Sequence, residues 1–235
     1  MLEQNLLNFA GIDVAAATGG GVVVMNTPSG NSTTTAEHAI ALLLALSRQI
    51  PQADRSTQMG KWEKSRFMGV EVTGKVLGLI GCGNVGSIVA ERGQGLKMRV
   101  IVYDPFMTNE HAADLGVERV ELDTLLARAH FISLHVPLTD ATRGMIDEAA
   151  LAKTQRGVRL INCARGGLIQ ERDLKEAIRV GHVAGAALDV FDQEPLPIDH
   201  PLRGLDNVLV TPHIGYVTHE TYRVFFEDVV EDIRS

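Results

Sequence analysis

The sequence predicts an α/β fold, in which helices cover both faces of a doubly wound parallel sheet. From Lys75 onward, short apolar runs alternate with amphipathic stretches, a pattern typical of parallel strands joined by crossover helices. A glycine-rich turn directly follows the first apolar run. The chain has 235 residues, 45% of them hydrophobic, so it is long enough to bury the core that such a sheet needs.

The apolar runs, several of them rich in β-branched residues, predict six buried strands. They occupy residues 76–80, 99–103, 131–136, 159–163, 186–190 and 208–210. The amphipathic stretches predict helices that cross between the strands or follow the last of them. They occupy residues 85–92, 122–129, 174–180 and 219–232.

A long helix is predicted before this alternating region, over residues 36–52. Hydroxyl side chains that could cap its start precede it, namely Ser32, Thr33, Thr34 and Thr35, and Pro51 should interrupt its end. Residues 39–46 are apolar nearly all round, so the helix must be buried on more than one side. Either a core helix or a helix at a subunit contact fits this pattern, and we expect a homodimer through this helix and its flanks.

The glycine-rich turn has the spacing of a dinucleotide-binding motif. Gly81 can make the tight turn, Gly83 can let the backbone approach a pyrophosphate, and Gly86 permits close helix–strand packing. Asn84 and Val85 open the following helix, whose N-terminal N–H groups favour phosphate. Strand, turn and helix together predict a Rossmann-type cofactor site.

Asp104 follows the second predicted strand, roughly 20 residues after the glycine motif. A carboxylate there accepts hydrogen bonds from the adenosine ribose hydroxyls and repels a 2′-phosphate, so the predicted cofactor is NAD rather than NADP. The alternative is a simple turn residue before Pro105.

Composition and charge exclude several classes of function. The formal net charge is −7, with 22 basic against 29 acidic residues, so nucleic acid is not an expected partner. The apolar run 39–46 is too short to cross a bilayer, and we expect no membrane association. Cys82 and Cys163 form no disulfide framework, which favours a reducing compartment such as the cytoplasm. The histidines lack the spacing of ligands, so no metal is expected.

Five motifs, taken in order, resemble those of the D-2-hydroxyacid dehydrogenase family. They are residues 60–69, 78–86, 162–167, 185–191 and 211–215, and the resemblance runs from about Gly21 to Gly215. It implies NAD-dependent interconversion of a D-2-hydroxy acid and its 2-keto acid, with 3-phosphoglycerate or a similar small acid as substrate. One alternative is a module that binds NAD and dimerises as a sensor without catalysis, as corepressors of this fold do. The other is a truncated domain with weak catalysis.

The resemblance assigns the chemistry to Arg165, Glu194 and His213. His213 would exchange the hydroxyl proton, Glu194 would orient its ring, and Arg165 would hold the substrate carboxylate. Taken singly, these residues could equally be a surface salt-bridge arginine, a loop carboxylate and a turn histidine. Residues around the nicotinamide and adenine are expected to be Asp189, which would accept from the carboxamide, together with His135, Pro137, Cys163 and Ala164. A packed strand-end histidine is the alternative for His135, and His38 is interpreted as structural.

The resemblance also implies a division of the chain. Residues 1–20 would be a remnant or crossover segment, 21–215 the NAD-binding domain, and 216–235 a C-terminal helix leading back toward a substrate domain. Most of that substrate domain is expected to be absent from this sequence.

Overall fold

A computed structural model describes residues 12–25 and 30–234, and within them seven strands form one parallel sheet. The strand order is β3-β2-β1-β4-β5-β6-β7, which confirms the doubly wound fold. The strands are β1 (Val76–Ile80), β2 (Arg99–Tyr103), β3 (Glu118–Arg119), β4 (Phe131–Leu134), β5 (Val158–Asn162), β6 (Val183–Leu188) and β7 (Val208–Val210). Because the order reverses between β1 and β4, the carboxyl ends of these strands flank a crevice suited to ligands.

Nine α-helices lie in the part of the chain that the structure describes. They are α1 (Val14–Gly19), α2 (Ser32–Arg48), α3 (Ile50–Gln58), α4 (Asn84–Gly95), α5 (Asn109–Asp114), α6 (Leu122–Arg128), α7 (Glu148–Ala152), α8 (Glu171–Arg179) and α9 (His219–Arg234). A short 3₁₀ turn at Gly166–Leu168 follows β5.

The core has two parts, one on each face of the sheet. On one face, helices α6, α7 and α8 contribute side chains such as Leu125, Leu151 and Leu174. On the other face, α2, α4 and α5 contribute Leu43, Val89 and others. Each strand of the sheet centre is therefore buried on both sides, which explains why its sequence is apolar without alternation.

The predicted helix over residues 36–52 is wrong in its extent. Helix α2 begins at Ser32 after an Asn31 cap that makes no side-chain hydrogen bond, so the hydroxyls expected to cap it lie inside the first turn. The helix ends where Gln49 adopts a left-handed conformation with φ 53°, and Pro51 sits in the first turn of α3. A proline is tolerated there because that N–H has no partner within the helix.

Packing within the chain accounts for the apolar face of α2. Ala36, Ala39 and Leu43 are buried against the sheet and α4, as the core-helix alternative requires. Other predicted boundaries shift by a few residues: β4 ends at Leu134 and β6 spans Val183–Leu188. Residues 1–11 of the predicted N-terminal segment lie outside the described residues.

Candidate active site

The glycine turn between β1 and α4 is built as the motif predicts. Gly81 has φ 89°, and a Cβ there would lie 2.6 Å from the His135 carbonyl oxygen. A Cβ on Gly86 would lie 2.3 Å from the Gly81 carbonyl oxygen, so only glycine allows the helix to pack this close. At Gly83, by contrast, a Cβ would meet nothing within 4 Å. The open space over this exposed glycine is where a ligand can approach the backbone.

Asp104 follows β2 and contacts the same turn. One carboxylate oxygen accepts from the Cys82 backbone N–H at 2.9 Å, and the other accepts from the Phe106 N–H, also at 2.9 Å. Asp104 therefore has a turn role, as the alternative interpretation expected, and its predicted contact with a cofactor ribose stays a prediction. Each oxygen keeps a lone pair, since an ionised carboxylate has about four acceptor sites.

His135 lies beyond the end of β4, beside the glycine turn. Its backbone N–H donates to the Ile80 carbonyl, and its Nε2 lies 2.9 Å from Ser133 Oγ. Burial lowers the pKa of His135 to about 4, so the ring is neutral at physiological pH. A neutral, hydrogen-bonded ring agrees with the packed-histidine alternative, and the ring still lines the cavity described next.

A cavity of about 480 Å³ opens at the carboxyl ends of the central strands. Predicted residues that line it are Val85, His135, Pro137, Cys163, Ala164, Arg165, Asp189 and His213. Residues that the sequence did not indicate also line it, namely Asn31, Thr35, Val136, Leu138, Gly215 and Tyr216. Gly215 is the last residue of the 211–215 motif and Tyr216 directly follows it, so this motif was the one signal that could have indicated them.

His213 and Glu194 form a hydrogen-bonded pair at the edge of this cavity. His213 Nδ1 lies 2.7 Å from Glu194 Oε2, and the other oxygen of Glu194 accepts from the Phe191 backbone N–H at 3.0 Å. The glutamate is therefore held from its own loop while it contacts the ring. His213 is 39% exposed, which leaves the ring accessible from solvent.

Arg165 is placed by a buried asparagine that the sequence did not indicate as functional. Asn162, at the end of β5, donates from Nδ2 to the Arg165 carbonyl at 2.8 Å and accepts from the Ala164 N–H at 3.0 Å. The Arg165 guanidinium donates to the Ala164 carbonyl at 2.7 Å. A second, smaller cavity of about 320 Å³ is lined by Arg165, Glu194 and His213 together.

Asp189 ends the β6 region and is only 1% exposed. Burial pushes its pKa upward, but hydrogen bonds from His38, Thr211 and the backbone N–H groups of Ile214 and Gly215 outweigh it and lower the pKa below its usual value. Asp189 is thus a buried, ionised carboxylate that lines the cofactor cavity.

Both cysteines, Cys82 and Cys163, are free and buried. Burial raises the pKa of Cys82 to about 11, with a further contribution from Asp104, and burial also raises the pKa of Cys163. Both thiols therefore stay protonated at neutral pH, and a protonated thiol is a poor nucleophile.

The described residues form neither a metal-ligand cluster nor a membrane-spanning helix. Among the described residues, no three His, Cys, Asp or Glu side chains cluster closely enough to hold a metal ion. Within the same ranges, no helix is both long enough and apolar enough to span a bilayer.

The fold and this crevice define a dinucleotide-binding domain of the dehydrogenase type. The residues present fit such a cofactor, because the backbone at Gly83 is open to a ligand at the start of α4 and the adjoining cavity extends from Val85 to His213.

Comparison with known proteins identifies the family. The model of the NAD-binding domain of D-isomer specific 2-hydroxyacid dehydrogenases matches residues 40–215. The chain belongs to this family, and its cofactor is NAD. It is 51% identical over 222 residues to D-3-phosphoglycerate dehydrogenase of Archaeoglobus fulgidus and 45% identical over 222 residues to that of Bacillus subtilis. Each match covers 94% of this chain but 42% of the relative, so the chain spans under half the length of these relatives.

Solved structures extend the comparison across substrates. A glyoxylate reductase from Paecilomyes thermophila superposes with a TM-score of 0.86 at 35% identity, covering 95% of this chain and 68% of that one. A D-lactate dehydrogenase from Salmonella gives a TM-score of 0.87 at 30% identity, covering 97% and 73%. Because enzymes named for different acids share this domain, the domain alone does not identify the substrate.

Proposed function

We propose that this chain carries the NAD-binding and acid–base half of an enzyme that interconverts a D-2-hydroxy acid and its 2-keto acid. The single observation that carries the proposal is the 2.7 Å contact between His213 and Glu194, beside a cavity that Arg165 also lines. The high identity to D-3-phosphoglycerate dehydrogenases favours 3-phosphoglycerate, or a similar small acid, as substrate.

His213 would be the acid–base residue of the reaction. Its Nδ1 faces Glu194, so Nε2 is the ring nitrogen left to exchange a proton with the substrate hydroxyl. Glu194 fixes the ring orientation and stabilises the imidazolium that forms when the base accepts that proton. The bound NAD supplies hydride exchange with the substrate carbon.

Arg165 would bind the substrate carboxylate. Its guanidinium is a planar fork that can donate two parallel hydrogen bonds, and the same group can polarise a 2-keto oxygen. The Asn162 side chain holds the Ala164 N–H and the Arg165 carbonyl, so the backbone that carries the Arg165 side chain is fixed before any ligand arrives. Arg165→Lys would lose the fork and with it the two-point contact.

The remaining cofactor contacts are proposed from the glycine turn, from Asp104 beside it and from the cavity lining. Gly81, Gly83, Asn84, Val85 and Gly86 would hold the pyrophosphate at the start of α4. Further along, Asp104 would bind the ribose, and Asp189 would face the nicotinamide. His135, Pro137, Cys163 and Ala164 would line the pocket between these two ends.

Two proposals concern parts outside this site. The C-terminal helix α9 bears an exposed apolar stripe, made of Tyr222, Phe226, Val229, Val230 and Ile233, that supports its packing against a substrate domain. Exposed Trp62 and Met68, in the segment after α3, support a homodimer through the flank of α2 and α3. We also infer that the protein works in the cytoplasm, since its buried free cysteines suit a reducing compartment.

The test replaces the base and leaves the cofactor site intact. NADH oxidation is followed with 3-phosphohydroxypyruvate, hydroxypyruvate, glyoxylate and pyruvate, on this chain and on the full-length gene product. His213→Gln should lower kcat by roughly two to four orders of magnitude without changing NADH affinity. Glu194→Gln serves as the matched variant, because it keeps the side-chain size and removes the charge.

Two outcomes would contradict the proposal. One is a His213→Gln variant that turns over at the wild-type rate. The other is tight NADH binding with no turnover of any of the four acids by the full-length product, which would favour the sensing module instead.

A further inference from the structure

The loop that carries His213 has an unusual backbone. His213 adopts φ 55°, a left-handed conformation that is uncommon for a side chain with a Cβ. Such a conformation persists only where its surroundings hold it. Inside the loop, the His213 N–H contacts the Thr211 carbonyl at 3.0 Å, and the Val217 N–H donates to the Ile214 carbonyl. The backbone N–H groups of Ile214 and Gly215 are held from outside the loop.

Both of those N–H groups donate to one carboxylate. Ile214 N lies 2.9 Å from Asp189 Oδ1, and Gly215 N lies 2.8 Å from Asp189 Oδ2. The two residues that follow His213 are therefore pinned to the end of β6. Asp189 is almost fully buried and ionised, and hydrogen bonds to an ionised acceptor are stronger than neutral ones.

The carboxylate is in turn held by two side chains. Thr211 Oγ1 donates to Asp189 Oδ1 at 2.5 Å. His38 Nε2 lies 3.3 Å from Thr211 Oγ1 and 3.4 Å from Asp189 Oδ1. If His38 carries its proton on Nε2, the donors run in one direction, from His38 to Thr211 and from Thr211 to Asp189.

These contacts start from helix α2, which is packed in the core. His38 stands between Ala36 and Ala39, which pack in the core at 0% and 2% exposure. A Cβ on Gly215 would lie 3.1 Å from Asp189 Oδ2 and 3.6 Å from His38 Cδ2, so the loop, the carboxylate and the ring are closely packed. Four residues before His38, Thr34 Oγ1 lies 2.8 Å from Thr221 Oγ1 at the start of α9, which ties the far end of the loop to the same helix.

We propose that His38 and Thr211 are positioning residues, which hold the Asp189 carboxylate and through it the strained loop that presents His213. The effect of this anchor on catalysis rests on the proposed function of His213. The anchoring of the loop itself does not depend on that function. None of the contacts involves the Glu194 side of the ring. Glu194 therefore orients the imidazole of His213, and contacts from helix α2 separately anchor the backbone of its loop.

The test measures amide hydrogen exchange at Ile214 and Gly215 in this chain. His38→Phe keeps a ring of similar size and removes the donor, and Thr211→Val removes the hydroxyl. We expect either change to speed exchange at both amides by roughly tenfold, the effect of losing one hydrogen bond. His38→Gln returns an N–H donor and should restore most of the protection. His111→Phe, on the exposed α5, is the matched control and should change nothing.

Two results of the exchange measurement would overturn the proposal. One is wild-type exchange at Ile214 and Gly215 in both His38→Phe and Thr211→Val. The other is faster exchange by the same factor at amides of the central strands β1 and β4, because that is general destabilisation and not loss of an anchor.

Turnover separates this proposal from the proposed function. If both hold, His38→Phe lowers kcat in the full-length product and is rescued by His38→Gln. Faster exchange with unchanged kcat would support the anchor and count against the role of His213. Lower kcat with unchanged exchange would overturn the anchor.

Discussion

Two glycines of the same turn should respond in opposite ways to the same small change. Gly83→Ala adds a methyl group where the protein has open space, since a Cβ there meets nothing within 4 Å. Gly86→Ala adds it 2.3 Å from the Gly81 carbonyl oxygen, well inside the 3.4 Å at which ordinary contact begins. Gly83→Ala should weaken ligand binding, and Gly86→Ala should lower the stability of the fold.

The expected magnitudes follow from these distances. For Gly86→Ala, α4 must move away from the turn, and overpacking of this kind costs about 1–3 kcal/mol of unfolding free energy. Val89 and Ala90, which are buried one turn further along α4, would lose packing with it. For Gly83→Ala, loss of a favourable cap residue and the lower entropy of the unfolded chain offset one another, leaving a change within about 0.5 kcal/mol.

The affinity for NADH should fall more in Gly83→Ala than in Gly86→Ala, which is the reverse of the order expected for stability. The methyl group at residue 83 occupies the space through which a pyrophosphate approaches the backbone, so we expect NADH to bind at least about tenfold more weakly, or about 1.4 kcal/mol. Urea unfolding and titration of NADH fluorescence measure the two quantities on the same samples. Wild-type NADH affinity in Gly83→Ala would refute the assignment of the turn to the pyrophosphate, and wild-type stability in Gly86→Ala would refute the packing argument.

Three further predictions use other residues. Asp104→Asn removes the charge and keeps one of the two oxygen acceptors that hold the turn, so the NADPH-to-NADH affinity ratio should rise roughly tenfold, and an unchanged ratio would remove the ribose assignment. In the folded protein the pKa of His135 is lowered from 6.5 to about 4, so protonation favours the unfolded chain. The free energy of unfolding should therefore decrease by up to about 3 kcal/mol as the pH is lowered from 6.5 to about 4. His135→Gln should flatten the plot of unfolding free energy against pH over this range. Parallel plots for the variant and the wild-type protein would contradict the pKa shift. Sedimentation should find a dimer that Trp62→Ser weakens, and a wild-type monomer at micromolar concentration would contradict the proposed interface.

The central strands of the sheet could be predicted from the sequence, because burial on both faces gives each of them a largely apolar run. Strand β1 is buried at every position, and a glycine motif follows it directly. Strand β3 could not be found in the same way, since Glu118 and Arg119 are both exposed at the sheet edge. Its ladder with β2 is a contact between distant residues, which no local pattern encodes.

Short helices were missed although local signals were present. Thr108 and Asp147 cap α5 and α7, each accepting from a backbone N–H three residues later. Neither helix is long enough for an apolar period to emerge. The break after α2 was placed at Pro51 because proline marks a boundary, but the left-handed residue is Gln49, which carries no such mark.

The family motifs indicated the candidate catalytic residues, whereas their supports depend on contacts distant in sequence. His38 and Asp189 are separated by most of the chain and meet only because α2 packs over the ends of β6 and β7. Asn162, although inside a motif, has a function that appears only when its two hydrogen bonds to the Arg165 loop are seen.

Counting acceptors limits what Asp189 can do for a cofactor. A carboxylate has about four acceptor sites. Oδ1 already receives Thr211 and Ile214, with His38 also at 3.4 Å, while Oδ2 receives only Gly215. One site on Oδ2 is therefore left for a carboxamide N–H, and accepting that bond does not require any anchor of the His213 loop to be released. The same carboxylate can thus contact the nicotinamide and fix the loop of the acid–base residue, so the cofactor and His213 share one rigid reference point.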